Sequence, residues 1–254
     1  MVGFSIELDF AGGLNSEQKK VFELAARRWE EVIKGADSGT SLVLRIRAAS
    51  KSIDGPGRVL GQAGPTSVRA EDGLPVSGTM EFDSADLAAM EQAGTLKDII
   101  LHEMGHVLGI GTLWVSKGFL KDAGTDNPLY TGPKAMHEYA VLMRETEPKN
   151  IPVANTGGPG TAEGHWRETI FDYELMTGYA EEAGTRMPLS RMTVAALADL
   201  GYTVDFSAAD DYKLPLHPAV VGTTTDVKST LRHYCKTTFP EVKGEKKKRW
   251  CGCC

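Results

Sequence analysis

The first 234 of the 254 residues contain no cysteine, and the four cysteines present, Cys235, Cys251, Cys253 and Cys254, all lie near the C-terminal end. The body of the chain therefore has no disulfide of its own, which fits a reducing compartment and, nearly as well, many bacterial secreted proteins. Long apolar runs are missing too. The longest patches, such as Leu42–Leu44 and Ile99–Leu101, are core-sized and fall far short of the roughly 20 apolar residues a spanning helix needs. No basic leader followed by an apolar stretch opens the chain, and Glu7 and Asp9 make a poor transit peptide. The expectation is a cytoplasmic protein, or a secreted one if the N-terminus given is already processed. Positive charge is scarce in the body: the net charge is −6, yet the last 29 residues hold eight Lys or Arg against three Asp or Glu, leaving −11 elsewhere. Such an acidic body lacks the basic face that phosphate binding needs, which excludes nucleic acid as the main partner.

What is present is ordinary globular material. Hydrophobic residues at 41% and charged residues at 24% remove collagen, coiled coil and wholesale disorder, and the length suits one large domain or two small lobes without staples. Phe4, Ile6, Leu8 and Phe10 alternate with polar residues as in a half-buried strand. Asn15 with Gln18 reads as a helix cap, followed by Val21, Phe22, Ala25, Ala26, Trp29, Val32 and Ile33 at helical spacing, with Gly35 as the stop. Leu42, Leu44 and Ile46 predict a second strand. Residues 50–77, rich in Gly, Pro and Ser, read as a long irregular connection, and a short strand is expected over Thr79–Phe82. Helical patterns follow from Thr95 to Leu108, from Pro133 to Arg144, and from Arg191 to Leu200 between Ser190 and Gly201. Beyond about residue 215 periodicity is lost and the chain reads as a tail.

The chemistry lies in Leu101-His102-Glu103-Met104-Gly105-His106-Val107-Leu108-Gly109. Two histidines four apart on a helix reach one metal ion, and a glutamate next to the first can hold a water bound to it. An HExxH run standing alone is as often unused as used. Here it sits on an apolar helix, where two imidazoles and a carboxylate are costly to bury without a partner, and Gly109 lets the chain turn away sharply. Zinc in a catalytic site takes three protein ligands and keeps one open position. His137, His165, His217 and His233 are the candidates for the third ligand. His137 reads as a surface residue, His217 and His233 lie in or beside the tail, and His165 follows a Gly-rich stretch and precedes Glu174-Leu175-Met176-Thr177-Gly178.

The set HEMGHVLGIGTLW, GGPGTAEGHWRETIFDYELMTGY and LSRMTVAALADLGYTVD, with the opening FSIELDFAGGLNSEQKKVFELAARRWEEVI, resembles the leishmanolysin-type metzincin metallopeptidases over roughly residues 4–206. Compact metzincins place the third histidine three residues after the glycine, where this chain has Thr112; the leishmanolysin type separates them by a long insertion. The resemblance implies an α/β (α+β) protease domain with a mixed sheet, an active-site helix carrying the HExxH run and a loop-rich C-terminal lobe with a Met-turn. It implies His102, His106 and His165 as zinc ligands, Glu103 as general base, Met176 beneath the metal, and one catalytic zinc ion acting on a protein or peptide substrate. It also implies an edge strand near Thr79–Phe82 that binds extended substrate by β-augmentation. Trp166 and Tyr179 flank the turn, either as pocket lining or as ordinary packing. The expected division is a catalytic domain over 1–215, with lobes of about 1–111 and 112–215, and a flexible basic tail over 216–254.

Two readings compete with catalysis. One is a zinc-binding module without activity, against which Glu103 argues. The other is a membrane-recruited interaction protein. It rests on Lys246-Lys247-Lys248-Arg249 beside Cys251, Cys253 and Cys254, a basic run with terminal cysteines that resembles a lipidation signal for peripheral membrane association. A solvated tail with incidental thiols accounts for those residues equally well.

Overall fold

A computed structural model of the chain describes residues 3–215 and the backbone of 234–237. His217, His233 and the basic, cysteine-ending run from Lys246 to Cys254 lie outside the described residues.

Strand β1 (Phe4–Gly12) leads into helix α1 (Ser16–Val32). The capping box is formed in full: Gln18 N donates to Asn15 Oδ1 at 2.8 Å and Asn15 N to Gln18 Oε1 at 3.0 Å. The helix buries Phe22, Ala25, Ala26, Trp29 and Val32, the face that the spacing predicts. It ends at Val32, three residues before Gly35. Ile33–Ala36 instead forms β2, which pairs antiparallel with Tyr202–Val204 far along the chain. Two β-branched residues in succession weaken the helix here, and the distant strand supplies the hydrogen bonds.

Strand β3 (Leu42–Lys51) buries Leu42, Leu44, Ile46 and Ala48. The stretch after it is not an irregular connection. Val59–Val68 forms β4, and β5 runs over Pro75–Asp83, longer than the short strand expected there. Glycine and proline hide β4 in the sequence. Gly61 and Gly64 sit where side chains or backbone approach closely, and Pro65 stands at a break in register with β5. The main sheet has the order β1-β3-β5-β4, with β1, β3 and β5 parallel and β4 antiparallel to β5. Tyr234–Thr237 adds a further strand, parallel to β4 on its outer side. The expected edge strand at Thr79–Phe82 is therefore interior: β5 lies between β3 and β4 and cannot receive substrate by strand addition.

Helix α2 (Leu87–Ala93), which the sequence does not announce, ends at the left-handed Gly94. Helix α3 (Leu96–Val107) follows at once, and the Thr95 side chain makes no cap hydrogen bond. It crosses β4 and β5 with α1 against its flank. The indole of Trp29 donates to Leu101 O at 3.1 Å, locking the two helices together, and Phe22 stacks edge-on to Phe82 at 5.2 Å.

The second half is loop-rich. The short strands β6 (Leu120–Lys121), β7 (Leu129–Tyr130) and β8 (Ile151–Pro152) make a small antiparallel sheet, with helix α4 (Pro133–Met143) lying between β7 and β8 in sequence. A single turn, α5 (Glu168–Phe171), leads towards α6 (Arg191–Leu200), which packs on α4 and runs into β9 (Tyr202–Val204). Ser190 caps α6 and Gly201 closes it, as the sequence indicates. This mixed α/β architecture is the fold class expected.

Trp29 is fully buried and joins α1 to the helix that carries both histidines. Trp29→Ala is expected to cost about 3–5 kcal/mol, read as a lower urea midpoint; a midpoint within error of wild type would show that α1 is not a structural support for α3.

Candidate metal centre

His102 and His106 stand one turn apart on the buried face of α3, and His165 reaches them from the segment before α5. The three Nε2 atoms lie 2.9 Å (His102–His106), 3.0 Å (His106–His165) and 3.2 Å (His102–His165) apart. Each opposite nitrogen faces a backbone carbonyl. His102 Nδ1 is 2.6 Å from Leu175 O, His106 Nδ1 is 2.9 Å from Ile110 O, and His165 Nδ1 is 2.9 Å from Thr161 O. A carbonyl only accepts, so every Nδ1 carries the proton and every Nε2 presents a lone pair to the common centre.

Burial is the first cause that keeps these rings neutral. It lowers His102 to about 4 and His165 to about 3, with the neighbouring His102 opposing a charge on His165; His106 is held well below the ordinary imidazole range by burial and by both neighbours. Three uncharged lone pairs converging in a dry interior repel one another unless a cation sits between them. The donor set fits zinc: bonds of about 2.0–2.1 Å at tetrahedral angles put ligand nitrogens about 3.3–3.4 Å apart, slightly wider than the spacing found.

Glu103, on the same turn, is fully buried. A Cβ added at Gly61 of β4 would lie 3.2 Å from its Oε1 and 3.2 Å from Phe82, so the absent side chain on the strand makes the room the carboxylate occupies. After α3 the chain reverses through Gly109 and Gly111. Gly111 has φ +75, and a Cβ there would stand 2.0 Å from Gly164 O; this contact brings the residue before His165 against the end of the helix. Thr112 donates its hydroxyl to His106 O at 2.7 Å, and Tyr202 donates to Leu108 O at 2.9 Å, so the freed helix carbonyls are satisfied.

Met176 lies beneath the helix, its sulfur 2.9 Å from where a Cβ on Gly105 would be, so only glycine admits it beside His106. The turn that carries it rests on Glu174, a fully buried carboxylate that sequence reading did not single out. Glu174 accepts from Met176 N (2.6 Å), Ser190 N (3.2 Å), Ser190 Oγ (2.6 Å) and the Thr193 hydroxyl. Burial raises its pKa in spite of these bonds. The signal available in the sequence was its place two residues before Met176 in the same turn.

The structure thus brings His102, His106 and His165 together and leaves His137 exposed on α4. Trp166 resolves to packing: it is fully buried, donates to Thr193 Oγ1 at 2.8 Å and stacks with Trp114 and Tyr130. Tyr179 is partly exposed and lines a cavity beside α3.

The family model for leishmanolysin matches residues 38–214, a span that holds all three histidines, Glu103 and Met176 and begins after β1 and α1. No curated protein matches the chain.

The depressed histidines carry a pH signature. Between about pH 6.5 and pH 4 the unfolded chain binds protons that the folded one refuses, so the metal-free protein loses stability as pH falls through that window. Urea midpoints of chelator-treated protein from pH 7.5 to 4.5 should fall steadily; a flat profile would contradict the burial of neutral imidazoles.

Proposed function

The chain belongs to the leishmanolysin family of zinc-dependent peptidases, and we propose that it is a metzincin endopeptidase with His102, His106 and His165 as zinc ligands and Glu103 as general base. The observation that carries this reading is the convergence of three neutral imidazole acceptors beside a buried glutamate on the same helix. Met176 is the Met-turn residue in this assignment, supported by its seat against Gly105. In this reading residues 1–215 carry the catalytic unit, the two lobes meeting at the turn after α3, and Tyr234–Thr237 adds a strand to its main sheet.

Zinc supplies Lewis acidity towards the peptide carbonyl and lowers the pKa of a water from about 15.7 to near 7. The protein does the rest. Glu103 takes the proton from the attacking water and returns it to the leaving amine, a transfer that contributes about 10²–10⁴-fold. The carbonyls of Leu175, Ile110 and Thr161 hold the rings in the tautomer that leaves Nε2 free. Apolar surroundings keep Glu103 and the ligands dry, which strengthens every charge interaction at the scissile bond.

A structural zinc site prefers four protein ligands, whereas among the described residues this cluster holds three. That supports an open position and argues against a zinc module without activity.

Glu103→Gln is expected to retain zinc and lose at least about 10²-fold in kcat/KM on a casein-type substrate. Persistent cleavage with zinc bound would sink the base assignment. His165→Ala should lose most of its zinc by atomic absorption and nearly all activity, whereas His137→Ala changes neither; equal metal content in the His165 variant would remove it from the ligand set.

A further inference from the structure

The two ends of the main sheet are unlike. At one, β1 is blunted by its own helix: Ile6 N donates to Glu30 Oε1 of α1 at 2.8 Å, so an edge amide is already taken. At the other, β4 passes the metal centre. Gly61 stands so close to Glu103 that an added Cβ would lie 3.2 Å from its Oε1 and 3.3 Å from its Cδ. A peptide bond attacked with the help of Glu103 has to lie near that carboxylate. The main-chain groups on the outer side of β4 are placed to hold such a peptide in extended form, about 4.8 Å beyond the strand.

That edge is occupied by the chain itself. Tyr234–Thr237, strand β10, runs parallel to β4, with Tyr234 opposite Val59, Cys235 opposite Gly61, Lys236 opposite Gln62 and Thr237 opposite Ala63. β10 thus covers the section of β4 that holds Gly61 and does not extend along residues 64–68. It lies beyond the 38–214 span that matches the family. Two features make it displaceable. It is four residues long, against ten for β4 and nine for β5, and its ladder skips Leu60, a break in register that weakens pairing.

Resting on the peptidase reading above, we propose that β10 is an intramolecular cover on the substrate edge. Tyr234–Thr237 takes the main-chain groups of β4 that an extended peptide would use, and it leaves before substrate is seated beside Glu103. Residues 216–233 tie it covalently to the body, so it competes at an effective concentration on the order of millimolar. Apparent substrate affinity is then reduced by the fraction of molecules whose edge is open, while the rate of the bound substrate is untouched.

The test compares the full-length zinc-loaded protein with its Cys235→Pro/Lys236→Pro double variant. Two successive residues lose the N–H that pairing uses, and successive residues of a strand point to opposite sides, so at least one bond to β4 goes. On fluorogenic peptides KM should fall at least about fivefold in the variant with kcat unchanged. Hydrogen exchange of the amides of residues 59–63, without peptide, should quicken at least about tenfold. A synthetic peptide of residues 230–241, added to the variant, should inhibit competitively and slow that exchange again. Quickened exchange with KM unmoved, or exchange that does not change, overturns the proposal and leaves the peptidase reading intact. A fall in kcat together with a lower urea midpoint makes β10 a structural strand and overturns it too. No cleavage of any peptide by either protein overturns both readings.

Discussion

Three imidazole lone pairs pointing at one another across about 3 Å repel unless a cation sits between them, so the rings stay in that arrangement only if the protein holds each one from behind. That constraint organises the second half of the molecule. Each ring needs an acceptor for its outer N–H, and three separate parts of the chain deliver one: the turn after α3, the glycine-rich stretch before His165, and the turn that carries Met176. Each of those parts must itself be held. Gly111 admits Gly164 at van der Waals contact, Thr112 and Tyr202 tie down the end of α3, and Glu174 anchors the last turn to the start of α6. The sheet and α1 serve the same end from below, fixing the axis of α3 through Trp29 and the close passage at Gly61.

Much of this was legible in the residues, and the parts that were not share a cause. Helical periodicity located α1, α3, α4 and α6, and Asn15 and Ser190 marked two starts. The spacing of His102, Glu103 and His106 is local, so a helix alone explains it. Strand β4 was missed because its composition answers to tertiary crowding: Gly61 is small since Glu103 and Phe82 press on it. Reading such glycines as a loop also misplaced the sheet edge, putting β5 outside when β4 covers it.

Long-range pairing decided the remaining differences. Ile33–Ala36 leaves the helix for a partner about 170 residues away, and no window of sequence contains both strands. His165 stands 59 residues from His106, joined by loops without periodicity. The residues themselves left several histidines open as its rivals, and resemblance to a family motif separated them. Glu174 shows the limit from the other side. An acidic residue amid Leu, Met and Phe looks like a surface position until the donors from Ser190 and Thr193 are placed around it.

The carbonyls that orient the rings belong to Leu175, Ile110 and Thr161, and a carbonyl is common to every amino acid. Ring orientation is thus encoded in the course of the main chain rather than in residue identity. Side chains at these three buried positions answer to packing alone, and any substitution that keeps the backbone in place leaves the ring its acceptor. Inserting or deleting one residue in any of the three segments would shift the carbonyl, turn the imidazole with it and dismantle the centre without touching a histidine. Sequence length between motifs, more than their lettering, is what this site cannot afford to change.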